Sequence, residues 1–378
     1  MRFCSLSSVK NRIVLGEPLP FSVRDASRLL LLARGQVIAD EPQLEELFQR
    51  GALVEISEVA AAVQPKRRAG PEHRLARLPA EWDRTGQDIR AALSAPSAKM
   101  VVALDDATDD LLSLIQFSPD VALSQIVLQP ESSAGHYGVN HSVHAATACL
   151  AAARFLGWSE SEQRRAVQAA MTMNIAMLEL QARLAHQVSP LTAKQREAIN
   201  DHPHRSADML ERAGIEDEDW LDAVRHHHEV ADGSGYPAGA TQISELAELL
   251  RFADVYTARL SSRASRPAMS AQQAGRELHQ MSAASPLAEA LIKSFGIFPP
   301  GSMVRLASGE LGMVVRNGEK AYHPVVAALT NKTGEPRLTP QHRDTASEEH
   351  AVVALLSWQA MPMRLSDEKI ASLIGGRA

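Results

Sequence analysis

The residues with the clearest chemical potential are His226, His227 and His228, which run directly into Glu229-Val230-Ala231-Asp232-Gly233-Ser234-Gly235-Tyr236-Pro237. Imidazole is a neutral nitrogen ligand for transition metals, and an acidic, glycine-punctuated turn follows at once. Gly233, Gly235 and Pro237 force the chain out of a helix into a shaped loop. The pattern reads as a metal site abutting a binding loop. Gly233 and Gly235 can bring backbone N–H groups close to an anionic ligand, and Tyr236 can stack on a base or donate a hydrogen bond. A run of histidines also suits a solvated helix end, and count alone does not separate the two readings.

These residues need a frame. From about Glu81 to Ser285 the helical period dominates: Leu111, Leu112, Leu114 and Ile115 form one stripe. Ser118-Pro119-Asp120 opens a helix, and Asn140 or His141 begins an alanine-rich one that ends near Gly157. A long helix is expected over Glu160 to Leu184. Others are expected over Thr192 to Ala213, closed by Gly214, and over Asp219 to His228 and Ser244 to Leu260. Residues 1 to 60 read as short strands at Arg12–Leu15, Leu29–Leu32 and Gln36–Ile38, with one helix over Glu41 to Arg50. Lys66, Arg67, Arg68, Arg74 and Arg77, around Pro65 and Pro71, suit a basic linker, or less simply a patch for an anionic partner. After Phe295 strands return, at Gly301–Leu306, Gly309–Val315 and Pro324–Leu329.

The loop tips the reading of the histidines. His-His-Glu-x-x-Asp-Gly-x-Gly-Tyr-Pro, standing at His227 to Pro237, resembles the second signature of the HD-GYP family, and the resemblance runs from about Asp105 to Val315. That family is similar to metal-dependent phosphohydrolases that open cyclic di-GMP. The resemblance implies a metal set of His141, His202 in its His-Pro step, His227, His228 and Asp254. It also implies a ligand-binding set of Asp232, Gly233, Gly235, Tyr236, Pro237 and Arg263. Arg259 and Arg266 could join Arg263 on phosphate, although each arginine alone also reads as a surface charge.

The centre of the pattern is missing. Met173-Asn174 stand where the family places its His-Asp dyad, Met177 stands at its lysine, and Tyr137 at the glutamate one turn before His141. Asp254 is then the only matched acidic ligand, whereas two divalent ions repel about four times as strongly as unit charges and need carboxylates to bridge them. Met173 and Met177 read most simply as core residues one turn apart.

The implied fold is mainly α: a helical HD-type phosphohydrolase domain over 96–295, a small mixed α/β N-terminal domain with its linker over 1–95, and a short β-rich tail over 296–378. The implied function is a degenerate HD-GYP protein, a regulatory or binding module in cyclic di-GMP signalling with weak or no hydrolysis. A slow phosphodiesterase using Asn174 through its carbonyl oxygen is the alternative, and an interaction scaffold the third reading. The cofactor implied is a divalent transition metal, iron or manganese, as one ion or none. The partners implied are cyclic di-GMP or a related nucleotide and a diguanylate cyclase (GGDEF-type) domain, and a homodimer is compatible with the reading. A formal charge of -6 argues against nucleic acid or an anionic membrane surface as partner. Cys4 and Cys149, the only cysteines, and the lack of a long apolar block suit a cytoplasmic setting without membrane spans.

Overall fold

The computed structural model describes residues 3–13, 15–16, 19, 21–55, 58, 71–95, 97–128 and 137–376. The basic stretch Lys66-Arg67-Arg68 lies outside them. The chain forms two units, Met1–Arg74 and Leu75–Ala378.

The first unit carries an antiparallel sheet of β1 (Phe3–Ser5), β2 (Val23–Arg24), β3 (Leu30–Leu32) and β4 (Leu53–Glu55), in the order β1-β4-β2-β3. Helix α1 (Glu41–Gln49) starts where Asp40 accepts a hydrogen bond from the Gln43 N–H, and it buries Leu44 and Leu47. They join Leu6, Phe21, Val23, Ile38 and Val54 in one small core. The strand expected at Arg12–Leu15 does not form, because a 3₁₀ helix occupies Leu6–Arg12 and a turn follows. At Gln36–Ile38 only a single bridge residue forms.

The second unit is built on helices α2 (Pro71–Leu93), α3 (Ser97–Phe117), α4 (Pro119–Leu128), α5 (Tyr137–Leu156), α6 (Glu160–Thr172), α7 (Leu178–His186), α8 (Ala193–Ala213), α9 (Glu218–His226), α10 (Glu245–Leu260), α11 (Ala271–Met281) and α12 (Pro286–Phe295). Where the sequence suggested an N-terminal domain with its basic linker over 1–95, α2 places Leu75, Leu78, Trp82 and Ile89 in the helical core. At the centre, α5 meets α6 through alanines: Ala145, Ala146, Ala148 and Ala152 on one helix and Ala166, Ala169 and Ala170 on the other are fully buried. Small side chains let the axes approach closely, which puts α5 and its histidine in the middle of the domain.

The long helix expected over Glu160–Leu184 is broken. Helix α6 stops at Thr172, Asn174 leaves the helical region at φ -106 and ψ 13, and a 3₁₀ turn over Ile175–Met177 precedes α7. The cause is local. The Ala176 N–H is taken by Ser206 Oγ at 3.2 Å and the Met177 N–H closes on the Asn174 carbonyl. The positions of the missing dyad therefore lie at a helix junction.

A five-stranded antiparallel sheet follows, β5 (Met303–Leu306), β6 (Leu311–Arg316), β7 (Val325–Thr330), β8 (Pro336–Asp344) and β9 (Val352–Leu356), in the order β8-β7-β6-β5-β9, and then α13 (Asp367–Gly375). Strands β8 and β9 had no clear alternation in the sequence. Met303, Met313, Val315, Ala327 and Leu329 enter the same core as the helices, so residue 296 marks a change of secondary structure within one unit. No single helix among the described residues is long and apolar enough to cross a membrane.

Glu310, fully buried between β5 and β6, pins the sheet. It accepts from Arg337 Nη2 at 2.8 Å, Arg343 Nη2 at 2.8 Å and Arg343 Nε at 3.0 Å. The Arg343 hydrogen bond is the main reason its carboxyl is held at about 2 against an ordinary 4.5. A depressed carboxylate stabilises above its unfolded value and loses that contribution as pH falls through the folded one. Glu310→Gln should cost about 2–4 kcal/mol at pH 7. The gap from wild type in urea unfolding should narrow as pH drops from 5 to 2.

Candidate metal centre

Helix α8 opens with a reciprocal cap between Thr192 and Gln195 and closes at Gly214, with φ +100, so its middle is fixed at both ends. In that middle stands His202-Pro203. Proline has no N–H, so the carbonyl of Ile199, four residues back, loses its helical donor. The His202 Nδ1–H takes that carbonyl at 2.5 Å. The His-Pro step thus fixes the imidazole tautomer: Nδ1 donates to the helix and Nε2 keeps a bare lone pair facing away.

Helix α9 produces the same result by ending. Its last-turn carbonyls have no helical partners, and the His227 Nδ1–H donates to the Val224 carbonyl at 2.7 Å. His227 Nε2 then lies 3.2 Å from His202 Nε2. His228 completes the group, and one ligand atom from each of the three lies within 4.8 Å of the others. Burial, more than any neighbour, lowers the pKa of His202 to about 4 and of His227 and His228 to about 3. At neutral pH all three are uncharged ligands. His226 belongs elsewhere: its Nδ1 bonds Asp222 at 2.8 Å, and Asp222 also receives Ser244 Oγ.

Asp254 on α10 and His141 on α5 form a second pair beside the trio. Burial pushes the Asp254 carboxyl up, but the His141 hydrogen bond and the surrounding imidazoles outweigh it and hold the carboxyl well below its usual range. Asp254 is therefore ionised, and His141 Nε2–H donates to its Oδ1 at 2.7 Å. In this geometry His141 orients the carboxylate. Of the expected ligands, His202, His227 and His228 form one group, while Asp254 and His141 form a bonded pair beside it, with Asp254 close enough to feel the charge of His227 and His228.

The dyad positions behave as the side chains dictate. Met173 is fully buried in the hydrophobic core and Met177 is buried beside it. Asn174 is 2% exposed, and its Nδ2 has no acceptor among the described residues. Three neutral nitrogens with a carboxylate nearby are a donor set that suits a divalent transition ion. The dyad positions and Tyr137 offer no second carboxylate.

The loop after His228 is folded back on itself. Glu229 is fully buried and accepts from the Ala238 N–H at 2.7 Å and the Ala240 N–H at 3.0 Å. A Cβ on Gly235 would lie 2.5 Å from Glu229 Cα and Val230 N, so only glycine lets the strands of the loop cross here. The crossing seats Tyr236 on His228, with ring centroids 4.5 Å apart and planes 23° apart. Pro237 follows through a cis bond. Asp232 is exposed and spends its Oδ1 on the Ser234 N–H and hydroxyl, a turn-forming role. Gly233, at φ +77, completes that turn.

The arginines divide. Arg259 pairs with Glu277, and Arg266 donates to the carbonyls of Ala258 and Arg259 at the end of α10. Neither is free for phosphate. Arg263 donates from Nε to Tyr137 Oη at 2.9 Å and lies over its ring at 5.3 Å. Tyr137 in turn stacks on His141. Sequence reasoning assigned no role to Glu229, a fixed position of the loop signature whose partners are backbone N–H groups, and Tyr137 stood there only as a lost glutamate.

Residues 124–285 match the HD domain family model, a span that contains all five residues of the metal set. Over 283 residues the chain is 28% identical to the cyclic di-GMP phosphodiesterase PA4108 of Pseudomonas aeruginosa, covering 72% of this chain and 68% of that protein. Among solved structures it is similar to Bd1817, an HDG"Y"P protein from Bdellovibrio bacteriovorus, with a TM-score of 0.48 and 14% identity over 77% of this chain and 98% of that one.

Pro203→Ala restores an N–H that competes for the Ile199 carbonyl. The helix should be at least as stable, while divalent-ion affinity falls about tenfold as His202 loses its fixed tautomer. Thermal melts and metal titration on one sample read the two opposite effects.

Proposed function

Because residues 124–285 match the HD domain family model, we propose that this chain is a degenerate HD-GYP module. It holds one divalent transition ion, iron or manganese, and binds cyclic di-GMP with little or no hydrolysis. The observation that carries this reading is the contrast within one site. The imidazole trio is buried, neutral and tautomer-fixed, while the dyad positions offer a core thioether and a neutral amide.

His202, His227, His228 and Asp254 would hold the ion, which as a Lewis acid would polarise a phosphodiester oxygen. The chain's own residues then bind rather than cleave. Asn174 Nδ2, buried without a protein acceptor, can donate to a phosphate oxygen; an unpaired buried donor otherwise costs about 1–3 kcal/mol. Arg263 is held by Tyr137 near His141 and can take a second anionic oxygen. Tyr236, stacked on His228, offers its other face to a base. None of these groups supplies a base for an attacking water, and the family's lysine position is the apolar Met177.

A regulatory module of this kind suits a partner that makes the nucleotide, such as a diguanylate cyclase domain. The relative's name, a cyclic di-GMP phosphodiesterase, favours the slow enzyme as the second reading, and the intact trio is its structural support.

Titration of full-length protein with cyclic di-GMP beside a product assay separates the two. Binding with no metal-dependent product is expected; turnover abolished by His227→Ala would establish the enzyme. Restoring the dyad as Met173→His with Asn174→Asp should raise bound metal by one ion per chain. It should also raise hydrolysis at least tenfold, because bridging charge is what the site lacks.

A further inference from the structure

Arg251 stands on α10 three residues before Asp254, one turn along the helix and hence on the same face. It is half-buried, and its guanidinium lies 5.4 Å from the ring of Phe252, itself fully buried. A partly buried guanidinium usually has a carboxylate partner. Arg251 makes no ion pair or hydrogen bond with any described residue. The acidic groups that influence it are Glu248 and Asp232, neither within ion-pair distance, and Asp232 Oδ1 accepts from the Ser234 N–H and hydroxyl. Burial is the main influence lowering its pKa, and its charge reaches His228.

Its placement complements Arg263. Asp254 has two sets of neighbours: first His141, which is bonded to it and stacked on the Tyr137 that holds Arg263, and second His227 and His228, the latter stacked on Tyr236 of the glycine loop. Arg263 serves the first side. Its turn is locked by the reciprocal Arg263–Arg266 bridge and by the Ala264 N–H on the Ala185 carbonyl. Arg251 is the cation of the second side, next to the loop and His228. Neither guanidinium has a carboxylate partner among the described residues, so both would supply positive charge to an anionic ligand at the cluster.

We propose that Arg251 is an anion-binding residue of this site, and that with Arg263 it forms a two-point clamp for a ligand bearing two phosphate groups. This rests on the proposed nucleotide binding but is separable from it. A cyclic dinucleotide carries its phosphates on opposite sides of one ring and matches a clamp with one cation at each flank. The planar guanidinium can meet each phosphate with two parallel N–H donors, a geometry lysine cannot reproduce.

The test titrates metal-loaded, full-length wild type, Arg251→Gln and Arg251→Lys with cyclic di-GMP and, separately, with inorganic pyrophosphate. Metal content and melting temperature are read on each sample. Arg251→Gln should weaken both ligands at least tenfold, with metal content and melting temperature unchanged. Arg251→Lys should recover part of the loss, and raised salt should shrink the difference. Equal affinity of wild type and Arg251→Gln for both ligands overturns the proposal, as does a wild type that binds neither. A wild type that binds pyrophosphate through Arg251 but no cyclic di-GMP would uphold the clamp and reject the nucleotide reading.

Discussion

The structure depends on an electrostatic constraint: two bare imidazole nitrogens, His202 Nε2 and His227 Nε2, are held 3.2 Å apart in a buried pocket with both Nδ1 protons already given to backbone carbonyls. Lone pairs facing each other at that distance repel unless a cation or a proton lies between them, and burial opposes the proton. The fold spends much of its architecture on this arrangement. A proline within α8 frees one carbonyl, the end of α9 frees the other, and close alanine packing puts α5 against both the dyad junction and α10. Asp254, ionised and oriented by His141, contributes the one buried negative charge that a metal at the trio would meet.

The same constraint explains why the histidine group keeps its geometry with Met173 and Asn174 at the dyad positions. Met173 packs into the core as any apolar side chain would, and Asn174 ends a helix as asparagine readily does. The trio, the loop and the Tyr236 stack do not depend on a carboxylate at that point. What depends on it is a second cation, since two divalent ions near one carboxylate would be strongly repulsive. Tyr137, at the position of the expected glutamate, holds the guanidinium of Arg263, and Arg251 has no ion pair or hydrogen bond among the described residues.

Much of this was legible in the sequence. The helical body followed from periodicity and caps, and the histidine positions from the loop signature, because spacing along a chain survives into structure when helices are well capped. The break at Met173-Asn174 was not legible, since Ala169 to Met177 reads as continuous helix and the competing acceptor for the Ala176 N–H, Ser206 Oγ, is distant in sequence. The strand at Arg12–Leu15 failed because an apolar run of that length does not distinguish a strand from a 3₁₀ turn. Glu229 stands as a fixed residue of the loop signature, but its role was not legible because its two backbone partners appear only once the loop closes. Arg251 carried a faint signal, a cation one turn before Asp254, but a surface charge has the same spacing, and only the absence of a carboxylate beside it separates them.

The central claim is that the site holds one ion and not two. Elemental analysis of tag-free, full-length protein tests it most directly. The account predicts one iron or manganese ion per chain, lost in His227→Ala. Two ions per chain would contradict it, because a second ion would require a carboxylate that neither Asn174 nor Tyr137 provides. Metal-free protein that takes up none when supplied would contradict it from the other side.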